Sequence, residues 1–228
     1  VVNYKIFKES PFENIHIPPS PGDAGSAVGA AQYLYYNYHN NERSIDLDPA
    51  KRIHENIYVG PSFSNAEIVK FLDFKNIAYE SFDDESLLEK TAQLIADGNI
   101  VGWYQGKMEW GPRALGNRSI LADPRRDDMK NILNAKIKHR ESFRPFAPSI
   151  LEEYAPEYFE MDVPSPYMLM VAPVKKPEQI PAVTHVDGTG RLQTVSKGSN
   201  PLYYDLINEF YKKTGVPVII NTSMNVMG

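Results

Sequence analysis

Cysteine is absent from all 228 residues. That excludes a disulfide framework, thiolate metal sites and a cysteine nucleophile, and it is compatible with the cytoplasm. Histidine is sparse, and no two of the five histidines have the spacing of zinc ligands, which argues against a self-contained metal site. His16, His39 and His54 are scattered and read as surface or packing residues, and His139, between Lys138 and Arg140, reads as solvent-exposed. No apolar run reaches the length of a membrane span, and the opening Val1-Val2-Asn3-Tyr4-Lys5 is not a signal peptide. There is no internal repeat and no low-complexity segment. Two chemistries are excluded by missing motifs. No G-x-x-x-x-G-K-[ST] phosphate loop occurs, and without a G-x-S-x-G elbow Ser223, His185 and Asp187 do not make a serine-hydrolase triad. Met does not begin the chain and Val226-Met227-Gly228 closes it just after a candidate motif, so it reads as a piece of a longer protein.

What is present is ordinary in bulk and unusual locally. With 42% hydrophobic and 23% charged residues, the composition is that of a globular protein of one large or two modest domains. The formal net charge is −5, yet between Gln105 and Arg144 ten Lys and Arg face only five acids. Such an island attracts anions locally without the chain-wide positive field that duplex nucleic acid requires. Gly106, Gly111 and Gly116 recur every five residues and let the backbone approach a ligand. Pro112 fixes the chain before Arg113, and the arginines offer planar forks suited to phosphate oxygens. Arg125 and Arg126, beside Asp127 and Asp128, read instead as solvated surface residues.

Along the chain, residues 1–48 begin with a strand-like run and continue into small residues from Ala24 to Ala31, which predict a tightly packed helix with Asp23 at its cap. The polar stretch from Asn37 to Pro61 predicts a linker, with a domain boundary near residue 55. After Gly60, helical and strand patterns alternate, as in an α/β fold. Helices are predicted over 65–74, from Leu87 to Gly98, over 127–138 and from Leu202 to Gly215. Strands are predicted over 77–82, 100–104, 167–172, 192–195 and 216–220, the last a buried-strand run in which Pro217 requires an edge or a first-residue position. The strand at 100–104 runs straight into the basic island, and the last delivers Asn221-Thr222-Ser223-Met224-Asn225 to its end.

Four blocks carry a resemblance. They are Glu109-Trp110-Gly111-Pro112-Arg113-Ala114-Leu115-Gly116-Asn117-Arg118-Ser119-Ile120, the run from Lys138-His139-Arg140-Glu141-Ser142-Phe143-Arg144 to Pro148, the run from His185-Val186-Asp187-Gly188-Thr189-Gly190-Arg191 to Val195, and Asn221-Thr222-Ser223-Met224-Asn225. Together with Gly22-Asp23-Ala24-Gly25 they resemble, in order, the O-carbamoyltransferases of nodulation-protein-U type. The resemblance implies an α/β fold: a YrdC-like twisted mixed sheet with flanking helices over 55–228, preceded over 1–54 by the end of an actin/sugar-kinase-like transferase lobe. It implies formation of carbamoyl-adenylate from ATP and carbamoyl phosphate, with Mg2+ accompanying ATP, for transfer to a hydroxyl-bearing small-molecule acceptor. No nucleic acid or membrane partner is implied.

On this reading Lys138, Arg144, Arg113 and His185 act in catalysis. Arg118, Arg140, Asp187, Arg191, Asn221, Ser223 and Asn225 bind nucleotide, phosphate or the carbamoyl edge. Asp23 matches the last metal-ligand aspartate of a site that holds Fe2+ in the full-length protein. Two departures stand out. The family's histidine motif, which supplies the other metal ligands, has no counterpart, and Met224 replaces the more usual phenylalanine, a volume-conserving change. The competing reading is a non-catalytic RNA- or nucleotide-binding module, with Trp103, Tyr104, Trp110 and Phe143 as stacking surfaces.

Overall fold

The structure is a computed structural model, and it describes residues 2–13, 15–43 and 57–225. The main elements in chain order are α1 (Val2–Glu9), α2 (Asp23–Tyr33), α3 (Asn65–Phe74), α4 (Asp84–Ala96), β1 (Val101–Tyr104), β2 (Arg118–Ala122), α5 (Met129–Leu133), β3 (Ala147–Leu151), α6 (Ala155–Tyr158), β4 (Met170–Pro173), β5 (Thr189–Val195), α7 (Pro201–Thr214) and β6 (Val218–Ser223). The six strands form one mixed sheet in the order β1-β2-β6-β3-β5-β4. Only the β3–β5 pair is parallel. This is the expected α/β arrangement of a mixed sheet with flanking helices.

Alternation along the strands sends apolar residues to both faces, so the sheet is buried on both sides. On one face Ile120, Ile150, Leu192, Val218 and Ile220 pack with Met129 and Leu133 of α5 and with Tyr158 and Phe159. On the other, Leu121, Leu151, Val195 and Ile219 pack under Leu88 and Ile95 of α4 and Tyr203, Leu206 and Phe210 of α7. Each such large side chain contributes about 1.5–3 kcal/mol by leaving water. Helix α7 has clear stops: the Asn200 side chain accepts the Tyr203 N–H, Pro201 occupies the first turn, and Gly215 ends the helix at φ 73°.

Several expectations change. Residues 2–9 form a helix and not a strand. Its apolar residues Val2, Tyr4 and Ile6 do alternate, but Tyr4 and Phe7 pack against the sheet core. The helix is held there by Asn3 Nδ2 donating to Leu169 O at 2.8 Å and Tyr4 OH to Glu160 O at 2.9 Å. No strand forms over 77–82, a stretch whose residues are all exposed and which has no ladder partner among the described residues. Strand β6 is central and not an edge. Of the two placements expected from Pro217 the one at the strand's start holds, since Pro217 lies just before Val218, where only its carbonyl is needed to accept Leu151 N–H. The expected helix over 127–138 is split into α5 and a wider turn at Asn134–Lys138, closed by His139 at φ 47°. Strands β2 and β3 were not foreseen. The expected boundary between 54 and 55 lies outside the described residues.

Candidate functional site

The loop joining β1 to β2 is organised by a buried acid. Glu109, only 6% exposed, accepts three backbone amides on Oε1: Leu115 at 2.8 Å, Asn117 at 2.7 Å and Arg118 at 3.1 Å. Sheet and helix side chains hold the same loop by its carbonyls. Asn221 Nδ2 donates to Ala114 O, while Gln193 Nε2 and Tyr58 OH both donate to Leu115 O. Asn200 Nδ2 bridges Tyr58 OH and Asn117 Oδ1. Two of the glycines are needed here. Gly116 has φ 107°, and a Cβ on it would lie 2.3 Å from Tyr203 Cδ1, while Gly111 has φ 120°.

Arg113 hangs from this pinned loop within electrostatic reach of Arg191 of β5. The two guanidinium groups repel, and neither forms an ion pair among the described residues. Both Nε–H groups are buried with no hydrogen-bond acceptor among the described residues. Burial first, and Arg113 second, pull the Arg191 pKa down to about 10. Two half-buried like charges with buried, unused Nε–H donors cost free energy, and an anion placed between them relieves both costs.

Beneath them a polar cluster crosses three strands. Ser149 Oγ donates to Gln193 Oε1 at 2.7 Å, Asn221 Nδ2 reaches the same oxygen at 2.9 Å, and Tyr203 OH donates to Ser149 Oγ at 2.9 Å. Asn221 Oδ1 is buried and unpartnered. Two residues on along β6, Ser223 O, Asn225 O and Asn225 Oδ1 accept from the Lys138 ammonium at 2.6, 2.9 and 2.8 Å. Lys138 is 1% exposed. Burial, then Arg140, lowers its pKa to about 8.

The expected site residues therefore divide. Arg113 and Arg191 are adjacent, Asn221 is tied to the Arg113 loop, and Lys138 is tied to Ser223 and Asn225. Arg140 stacks 4.9 Å from the Phe146 ring and donates Nε–H to Asn134 Oδ1 at 2.7 Å. Its pKa is lowered by burial and then by Arg144. Arg144 is more exposed and pairs with Glu141 at 3.0 Å. Arg118 is redirected: its Nη atoms donate to the carbonyls of Gln105, Asn117, Pro61 and Gly106, and it lies 3.6 Å over Tyr104. Four internal acceptors make it a brace for the loop. His185 Nδ1 contacts Thr189 Oγ1 at 3.1 Å, and burial lowers its pKa first of all. Asp187 takes both the Thr189 N–H and its hydroxyl, so it shapes the turn into β5, and those bonds lower its pKa.

Two readings are corrected. Arg125 is not a solvated residue. It makes a bidentate pair with the buried Asp123 and donates to Ala96 O, whereas Arg126 does lie on the surface with Asp128. Asp23 does not cap α2: Gly22 holds the cap position with no side-chain bond, and Asp23 is exposed. No cluster of three metal-donor residues occurs among the described residues, so Asp23 does not complete an iron site within them, and no step is assigned to it. Trp103 is buried and bonded to Gln105 Oε1, which removes it as a stacking surface for RNA. No helix among the described residues is long and apolar enough to cross a membrane.

The residues missed in the sequence are Glu109, Gln193, Asn200 and Tyr58. Glu109 reads there as one of five acids diluting the island, and its amide partners lie six to nine residues away, a separation with no periodic signature.

Comparison with known proteins gives a consistent pattern. The family described as "Carbamoyltransferase C-terminus" matches residues 92–228, and "Carbamoyltransferase N-terminus" matches residues 1–32. The uncharacterized protein sll1178 of Synechocystis is 45% identical over 100% of this chain and 40% of its own length. Nodulation protein NolNO of Sinorhizobium fredii is 44% identical over 98% of this chain and 33% of its own length. Nodulation protein U of Rhizobium fredii is 36% identical over 95% of this chain and 34% of its own length. The chain thus spans at most about two fifths of each of these relatives. Among solved structures, P. abyssi Sua5 complexed with L-threonine matches at 18% identity over 64% of this chain and 41% of that one, with a TM-score of 0.46.

Proposed function

The chain belongs to the carbamoyltransferase family, and from that premise we propose that it carries the adenylate-forming step of an ATP-dependent O-carbamoyltransferase. Carbamoyl phosphate and ATP are the small-molecule partners: hydrolysis of carbamoyl phosphate gives carbamate and phosphate, and the carbamate oxygen displaces pyrophosphate from the ATP α-phosphorus. Elsewhere in the whole protein the carbamoyl group passes from the adenylate to the hydroxyl of a small-molecule acceptor, releasing AMP. The observation that carries this reading is the Arg113–Arg191 pair, two half-buried cations whose buried Nε–H donors have no acceptor, and which pair with no carboxylate, among the described residues.

The chemistry accounts for such an arrangement. Carbamoyl phosphate and the ATP phosphates repel one another, so reaction needs fixed cations that offset the repulsion and align the reacting oxygens. Arg113 and Arg191 take one phosphoryl group through N–H donors already in place. Lys138 fixes the Ser223–Asn225 turn beside them, and Arg140 and Arg144 extend the positive field outward from it. Burial lowers the His185 pKa, which disfavours a further positive charge near Arg191. Mg2+ would travel with ATP, held by phosphate oxygens and water. The burial of Trp103 removes one of the four stacking surfaces of the RNA-binding alternative, while Tyr104 and Phe143 stay exposed.

Calorimetric titration with ATP, with carbamoyl phosphate and with a short single-stranded RNA tests the choice. Saturable binding of both small anions, with weak RNA binding, is expected. Strong RNA binding with a steep salt dependence and no response to ATP would overturn the assignment.

A further inference from the structure

We infer that Glu109 is the positioning residue of the anion site, holding Arg113 beside Arg191 without itself touching a ligand. The inference rests on the phosphate-binding reading of those two arginines. Glu109 has no cation partner among the described residues, which is uncommon for an acid 6% exposed. Its Oε1 instead gathers the amides of Leu115, Asn117 and Arg118 at 2.8, 2.7 and 3.1 Å. Bonds from amides to a charged acceptor are about twice as strong as neutral ones. The Leu115 bond closes the chain from 109 to 115 into a ring that contains Arg113.

The ring is anchored from outside as well. Trp110 N–H donates to Ile57 O at 2.7 Å near its start, and Asn221 and Gln193 hold the carbonyls of Ala114 and Leu115 near its end. Arg113 therefore sits in a short span, Trp110 to Ala114, fixed at both ends. Repulsion between Arg113 and Arg191 pushes the other way, and a loop free to relax would carry Arg113 away from β5. With the clamp in place, the donors stay aimed before the anion arrives, so the cost of ordering them is met during folding rather than on binding.

Glu109→Gln keeps the side-chain length and one acceptor oxygen while removing the charge. In the full chain, we expect it to weaken calorimetric binding of carbamoyl phosphate about tenfold, the loss of roughly one charge-assisted bond's worth of positioning. In an Arg113→Ala background the same change should alter affinity less than about twofold, because the residue being positioned is gone. Equal losses in both backgrounds, or no loss in either, would overturn the inference. Hydrogen exchange on the unsubstituted protein covers the case in which Glu109→Gln does not fold. The amides of Leu115, Asn117 and Arg118 should already be protected without ligand, whereas fast exchange that slows only on adding carbamoyl phosphate contradicts a preformed clamp. The two levels of failure separate cleanly. If carbamoyl phosphate does not bind the unsubstituted chain, or Arg113→Ala leaves its affinity unchanged, the anion-site reading falls and takes this inference with it. If both behave as expected and Glu109→Gln binds like the unsubstituted protein, only the role of Glu109 is lost.

Discussion

Replacing Arg113 with alanine should weaken anion binding while leaving the fold as stable as before, a combination that separates a ligand contact from a structural one. Without an anion bound, Arg113 would be a burden: it is partly buried, its Nε–H has no acceptor among the described residues, and it adds to the depression of the Arg191 pKa. Removing it relieves a like-charge repulsion, so the melting temperature should fall by no more than about 2 °C and can rise. Binding should respond in the opposite sense. A charged hydrogen bond is worth about 1.5–3 kcal/mol, so the affinity for carbamoyl phosphate should drop roughly ten- to a hundredfold. Lysine at 113 should recover part of that, since it restores charge but not the fork.

Arg125→Ala is the contrasting control. It strands Asp123, whose side chain is 1% exposed, and removes the bonds at 2.9 and 2.6 Å. Breaking a buried pair costs about 3–5 kcal/mol, and the partial exposure of Arg125 reduces this to about 2–3 kcal/mol, or roughly 4–12 °C in Tm. Its effect on affinity should be negligible. Calorimetry and thermal melts on the two variants give both numbers. If Arg113→Ala destabilises the fold and leaves affinity untouched, Arg113 is a structural residue and the site is misplaced.

Other expectations concern the backbone and pH. Gly116→Ala combines a φ of 107° with a Cβ 2.3 Å from the buried Tyr203 ring, and the overpacking and strain cost about 1–3 kcal/mol each, so melting should fall by roughly 4 °C or more. A variant that melts like the parent would show that the loop does not lie against α7. The Lys138 pKa is lowered from 10.5 to about 8, so its ammonium is lost as pH rises through about 8 in the folded chain, before the unfolded chain loses it. Anion affinity should therefore fall between about pH 7 and 9. Stability from this group should instead rise from about pH 8 to 10.5, because there the unfolded chain holds more protons. Flat affinity across pH 7 to 9 would remove Lys138 charge from the binding role.

Much of the fold was legible wherever a helix carried its own stops. The predicted bounds of α3 coincide with those found, 65–74, and Ser64 and Glu67 form a reciprocal cap there. Helix α7 was marked by its apolar stripe and Gly215. Strands β2 and β3 were hidden because nearly every residue in each is buried, so neither shows the alternation of a half-exposed strand. The opposite error came at 77–82 and at α1, where short alternating runs imitate strands. For the site, the arginine-rich blocks were visible as composition. Which arginines face a ligand was not, because that depends on what each already binds. Arg118 and Arg125 spend their donors inside the protein, and only the three-dimensional arrangement shows that Arg113 and Arg191 do not.

The most direct measurement is a crystal structure of the chain with carbamoyl phosphate and a non-hydrolysable ATP analogue. Phosphoryl oxygens within about 2.7–3.2 Å of both Arg113 and Arg191 are expected, with the nucleotide extending toward the Ser223–Asn225 turn. Ligand density confined to the surface around Arg126, Lys130 or Arg144, with the Arg113–Arg191 pair left empty, would contradict the proposed site.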